Sequence, residues 1–100
     1  MGKQAIVVHE SDNVATSLRD LKKGEEVLLE IGDTENKVVL LNDIPFAHKF
    51  ALKNIDLGEN VIKYGEVIGK ASKPIKMGEH VHVHNIESTR GRGDLEVDKR

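Results

Sequence analysis

The 100-residue sequence contains no cysteine. It therefore has neither a disulfide framework nor a thiolate metal site, and a reducing compartment is compatible with it though not demanded. Aromatic residues make up only 3%, leaving little for the base stacking that single-strand nucleic-acid binders rely on. A formal charge of -2 supplies no basic field for a phosphate backbone. Both absences exclude nucleic acid as an expected partner. Long apolar runs are missing too: Ala5-Ile6-Val7-Val8 is too short for a signal-peptide core, and no stretch is long enough to span a bilayer. No membrane partner is expected, and the cytoplasm is the default location.

Hydrophobic residues at 38% and charged residues at 32% fit one globular domain of common size. Its organising stretch is His80-Val81-His82-Val83-His84-Asn85, which holds three of the five histidines at every second position. In an extended strand this spacing puts the imidazoles on one face and the valines on the other. Imidazole ligates zinc, iron, nickel and copper and titrates near neutral pH. The outer two histidines of such a strand would stand about 13 Å apart, too far to share one ion. Adjacent members plus a ligand from elsewhere would then be needed; the plainer alternative is a half-exposed strand making ordinary hydrogen bonds.

Taken in order, residues 5–8 read as a first strand that delivers His9 at its end. Ser11-Asp12-Asn13 offers helix caps, and Val14, Ala15, Leu18 and Leu21 recur at helical spacing, predicting a short helix over 13–21. A phrase then appears three times: Leu21-Lys22-Lys23-Gly24-Glu25-Glu26-Val27, Ile55-Asp56-Leu57-Gly58-Glu59-Asn60-Val61 and Ile75-Lys76-Met77-Gly78-Glu79-His80-Val81. Each is an aliphatic residue, two variable ones, Gly-Glu, one residue and Val. A glycine there suits a turn with positive φ leading into a strand, so three such units predict a small β-rich fold. Their uneven spacing argues against a solenoid.

Residues 27–31 and 37–41 read as a hairpin around a turn at 32–36. Pro45 keeps Ile44 extended, and Ala47-His48-Lys49-Phe50-Ala51-Leu52 sets a basic pair among apolar neighbours. His48 and Lys49 either hold an anionic substrate or simply alternate outward on a strand. Lys63 beside Tyr64, the one tyrosine, could serve as carboxylate clamp and proton donor, or be a solvated lysine beside a packed ring. Residues 1–86 are thus expected to form the domain, with 87–100 a polar, glycine-rich arm that orders on a partner through Arg90 and Arg92. Arg92-Gly93-Asp94, a tripeptide of cell-adhesion ligands, is read as coincidence.

With these residues laid out, the chain resembles the amino-terminal domain of the altronate and galactarate dehydratase family. The matching phrases are His9 with Asp12-Asn13-Val14-Ala15; His48 to Leu52; Ile55 through Gly58-Glu59; Val61-Ile62-Lys63-Tyr64-Gly65 with Ile68-Gly69; and Gly78 through Asn85. The resemblance implies a mainly β, small β-clip domain of the antifreeze-like (SAF) type, here with one short helix near the amino terminus. It implies removal of water from sugar acids to give 2-keto-3-deoxy acids, a divalent metal, iron, and a much larger catalytic part.

A chain of this length would then be the small subunit of a two-subunit hydro-lyase, inactive alone and able to form a homo-oligomer when purified alone. The expected partners are the large catalytic subunit and the sugar-acid substrate. Under this resemblance His9, His48 and Lys49 are the expected catalytic residues. Lys63, Tyr64 and Asn85 are expected at the substrate, and His82 and His84 at a metal shared with the large subunit. A sulfolactate sulfo-lyase small subunit resembles the same domain, and a non-catalytic sugar-acid-binding module is the reading from another class.

Overall fold

The structure is a computed structural model, described here for residues 4–31 and 34–88. Nine strands follow in order: β1 (Ala5–Ile6), β2 (Val14–Ser17), β3 (Glu26–Ile31), β4 (Thr34–Val39), β5 (Lys49–Ala51), β6 (Asn60–Lys63), β7 (Glu66–Ala71), β8 (His80–Val81) and β9 (Ile86–Ser88). They form a four-stranded sheet in the order β1-β2-β5-β8, a β3-β4 hairpin and a three-stranded sheet β6-β7-β9. All pairings are antiparallel. Arg92-Gly93-Asp94 and most of the arm lie outside the described residues; Ile86–Ser88 pairs with β7.

The mainly β expectation holds, but no helix occurs among the described residues, and β2 stands where the helix over 13–21 was expected. The reason is that this strand is buried on both faces. Val14 packs into one apolar cluster with Ala51, Ile55, Val61, Ala71, Ile75 and Val81. Its neighbour Ala15 packs into the other, with Leu21, Val27, Leu29, Val38, Leu40, Ile44 and Phe50. Successive strand residues point oppositely, so β2 and β5 form a wall between two cores. A two-sided buried strand shows no period of two and is easily taken for a helix.

The supposed caps serve other backbone. Asp12 accepts from the amides of His9 and, across the chain, Gly65. Asn13 donates to Asn60 O and accepts from Ile62 N, fastening β6 to the end of β2. The bonds to Asn60, Ile62 and Gly65 join residues 47, 49 and 53 positions apart, and propensity carries no trace of them.

The hairpin expected at 27–41 forms with a longer ladder than predicted, from Glu26↔Val39 to Ile31↔Thr34. All three repeated phrases make the same turn: Gly24, Gly58 and Gly78 have φ of 88°, 86° and 88°. In each, a glutamate accepts from the amide three residues back: Glu25 from Lys22, Glu59 from Asp56, Glu79 from Lys76. Each turn is also docked by two backbone bonds to a buried residue elsewhere. Gly24 N donates to Leu40 O while Leu40 N donates to Glu25 O; Gly58 and Glu59 do the same with Ala71, and Gly78 and Glu79 with Ala51.

A fourth copy spans 44–50. Ala47, at φ 71°, takes the glycine position and docks with His48 on Ser17 by the same pair of bonds. The units also pair: Leu21 with Ile44, and Ile55 with Ile75, each by two reciprocal backbone bonds. Sequence reasoning missed this copy because its markers are changed. Pro45 replaces the residue whose amide the glutamate would bind, and His48 replaces the glutamate.

Candidate functional site

The altered turn places His48. Ser17 holds that turn from below, through its hydroxyl donating to Pro45 O at 2.7 Å and through its backbone bonds to Ala47 and His48. Because Pro45 has no amide hydrogen, a side chain at position 48 has no turn to close and is available for other contacts. Strand β5 follows directly and pairs with β8 in the register Phe50↔His80 and Lys49↔Val81. His48 and Phe50 lie two apart and His80 faces Phe50, so both imidazoles emerge on the same side.

The histidine row is not one extended strand. β8 ends at Val81, and residues 82–85 turn, with Asn85 N donating to His82 O. Asn85 causes this: its side chain is fully buried, its Oδ1 accepts from His82 N at 2.9 Å and its Nδ2 donates to His80 O at 2.8 Å. Asn85, expected at the substrate, thus holds backbone with both ends of its amide. The turn also overturns the expected separation of about 13 Å between His80 and His84: their ring centroids lie 5.4 Å apart.

Four imidazoles thus converge. His48 Nδ1 and His80 Nε2 are 2.9 Å apart. The His48 ring stacks on His82 with centroids 4.5 Å apart, and His80 lies 5.6 Å from His82. Potential donor nitrogens of His48, His80 and His82 all lie within 4.8 Å of one another, the one such cluster among the described residues. Of the pair expected at a metal, His82 belongs to that trio, while His84 tilts against His80 outside it.

Burial, reinforced by His48, His84, His82 and Lys49, lowers the His80 pKa. Burial and then His48, Lys49 and His84 lower that of His82. Lys49 is half-buried, and burial followed by Lys63 lowers its pKa. The charges that lower these three pKa values come from the other histidines, Lys49 and Lys63.

Lys63 thereby belongs electrostatically with Lys49, while its Nζ lies 4.8 Å from the centroid of the Tyr64 ring, a cation–π contact. Tyr64 and Gly65 both have positive φ, 54° and 77°, as a two-residue hairpin loop between β6 and β7 requires. His9 sits against this loop, its ring 3.2 Å from where a Cβ on Gly65 would be, and its Nδ1 meets the Ser11 hydroxyl at 2.8 Å. Its contacts are with the loop rather than with the other histidines.

The three clustered histidines are half-buried. Hollows lie elsewhere, lined respectively by residues such as Ala5, Leu28 and Glu30, by Glu10, Ser11 and Lys53, and by Asp20, Asp43 and Pro45. None of the histidines lines them.

Residues 3–89 match the family model of the altronate/galactarate dehydratase SAF domain. The chain belongs to that family. The SAF domain is 41% identical over 91 residues to an altronate dehydratase of Bacillus subtilis, covering 86% of this chain. It is 48% identical over 85 residues to one of Escherichia coli, covering 85% of this chain. It spans only 16% of either dehydratase. Over 48 residues it is 50% identical to the (2R)-sulfolactate sulfo-lyase subunit alpha of Paracoccus pantotrophus, covering 48% of this chain and 72% of that subunit.

Proposed function

We propose that this SAF domain is the small subunit of a two-subunit sugar-acid dehydratase of the altronate or galactarate type, inactive until it joins a large catalytic subunit. The observation that carries this reading is the convergence of the half-buried His48, His80 and His82, with Lys49 acting electrostatically on His80 and His82 and Lys63 acting on Lys49. Such a cluster suits a polycarboxylate or hydroxy-acid anion, and a partner laid over it would exclude water and strengthen each interaction. The small share of the dehydratases that this domain spans supports a larger counterpart.

Dehydration of a sugar acid removes a proton from the carbon beside the carboxylate, expels hydroxide from the next carbon with proton donation, and leaves an enol that becomes the 2-keto-3-deoxy acid. Lys49 and Lys63 would meet carboxylate oxygens, spreading the charge of the enediolate. Lys49, whose pKa burial lowers, is also suited to exchange a proton. Tyr64, beneath Lys63, would orient it, and His9 would act from the far side of the 64–65 loop. A divalent metal, iron in this reading, fits the imidazole donors of His48, His80 and His82 and would act as a Lewis acid on substrate oxygen. A cytoplasmic location and self-association of the free subunit complete the reading.

Likeness to a sulfo-lyase subunit over half the chain supports a second leaving group, sulfite in place of water, on the same anion clamp. The test is to co-purify the chain with its large partner and assay elimination from altronate, galactarate and sulfolactate, with and without iron. Turnover of a sugar acid by the complex alone, lost in Lys49→Ala without loss of the complex, is expected. Sulfolactate turnover alone would favour the second reading. A chain that forms no complex and binds a sugar acid without turning it over would be a binding module.

A further inference from the structure

We propose that His48, His80 and His82 form a transition-metal site complete within this chain, taking one ion of the zinc class on three imidazoles before any partner or substrate binds. The proposal deepens the lyase reading and rests on it for its biological use, but ion uptake itself is measurable without a sugar acid or a large subunit.

Ligands on a tetrahedral ion at 2.0–2.1 Å stand roughly 3.3 Å apart. Donors already within 4.8 Å of one another, the closest pair at 2.9 Å, reach that arrangement by turning side chains on a fixed backbone. The backbone is fixed at each ligand. His48 ends a turn docked on Ser17, His80 lies in β8 opposite Phe50, and the His82 amide and His80 carbonyl are both held by the buried Asn85 side chain. Preorganisation of this kind is what separates a site from a chance cluster.

Two imidazole nitrogens 2.9 Å apart share one proton between them, because two lone pairs would repel and two N–H groups would clash. A metal ion takes the place of that bridging hydrogen, which moves to the far nitrogen of its own ring. Three nitrogens and no carboxylate select zinc, cobalt, nickel or iron(II) over magnesium and calcium, which take oxygen ligands. Three protein ligands also leave a coordination position open.

The untagged full chain, stripped with a chelator, is titrated with Co2+ while the visible absorption of the ion is followed, and then challenged with Zn2+, Mg2+ and Ca2+. One equivalent of Co2+ is expected to bind, with Zn2+ displacing it and millimolar Mg2+ or Ca2+ leaving it in place. His48→Ala and His82→Ala are expected to weaken binding by more than the roughly 10–100-fold that loss of an outer-shell partner costs. His84→Ala and His9→Ala should bind as the parent does. Far-ultraviolet dichroism of each ion-free variant checks folding, and His82→Gln, which keeps the side-chain bulk, replaces any alanine variant that fails that check. Absence of a saturable equivalent, displacement by Mg2+, or a loss in His84→Ala equal to that in His48→Ala overturns the proposal. Loss of lyase activity with Co2+ uptake intact would overturn only the lyase reading.

Discussion

The turns at 44–50 and 55–61 share a backbone path and differ in what their side chains do. At 55–61 the glutamate closes its own turn, Glu59 Oε1 accepting from Asp56 N at 2.7 Å, and the pivot is Gly58. At 44–50 proline removes that donor, alanine bears the positive φ, and a histidine reaches out to His80. Local self-sufficiency has been exchanged for a long-range contact. The second turn survives the exchange because backbone bonds to Ser17, together with its hydroxyl, hold it from outside. A repeated element can host chemistry where its neighbours take over the work of its own side chains.

Substitutions at matched positions would break or sharpen this comparison. The largest effect is expected at Gly78, where an added Cβ would stand 2.2 Å from Val39 O, whereas Gly58 faces open space. Gly78→Ala should cost about 3 kcal/mol or more through clash and backbone strain, and Gly58→Ala only about 1 kcal/mol through its positive φ. Urea unfolding of both variants measures the difference, and equal losses would mean that the turns are held less individually than described. Next comes Asn85→Ala, which strands a buried amide and carbonyl beside the histidines and should cost about 2 kcal/mol in the same assay.

Smaller effects separate the two turns most sharply. Glu59→Ala should lose about 1 kcal/mol of stability through the broken turn closure, while His48→Ala should stay within about 0.5 kcal/mol of the parent. The reverse ranking would place His48 in the scaffold. Ala47→Gly relieves positive-φ strain but enlarges the freedom of the unfolded chain, so a net gain below about 1 kcal/mol is expected as a small rise in melting temperature.

Acid titration gives the subtlest contrast. The Lys22 amide chiefly, then Arg19 and Gln4, hold the Glu25 pKa below its ordinary 4.5. The folded form therefore binds this proton more weakly than the unfolded chain. Stability from Glu25 is present above the ordinary carboxylate pKa and is lost as pH falls through the lowered one. Glu25→Gln should flatten that part of the pH–stability curve, and the turn at 44–50, lacking the glutamate, contributes no such slope.

Three of the four turns were legible because glycine and glutamate are needed at fixed positions. The fourth was hidden because its departures from the pattern, Pro45, Ala47 and His48, are what make it useful. Likewise the alternation of His80 and His82 marked a site, and the pair His48-Lys49 was recognisable as basic residues among apolar ones. That β5 lies beside β8, bringing these together, depends on a pairing between segments thirty residues apart. No local pattern encodes it. Asp12 and Asn13 were read as caps for the same reason: the amides they bind, at Gly65 and Ile62, are remote in sequence.

The docking partners of the four turns also imply an order of events. Gly24 docks on Leu40 and Gly58 on Ala71, each at the far end of a hairpin that the turn itself opens. Ala47 and Gly78 instead reach back to Ser17 and Ala51, across longer stretches of chain. Short closures precede long ones because they sacrifice less chain entropy. His48 and His80 both belong to the late pair, so a half-assembled molecule has its hairpins and no histidine cluster. By this argument the site forms after the hairpins and not with them.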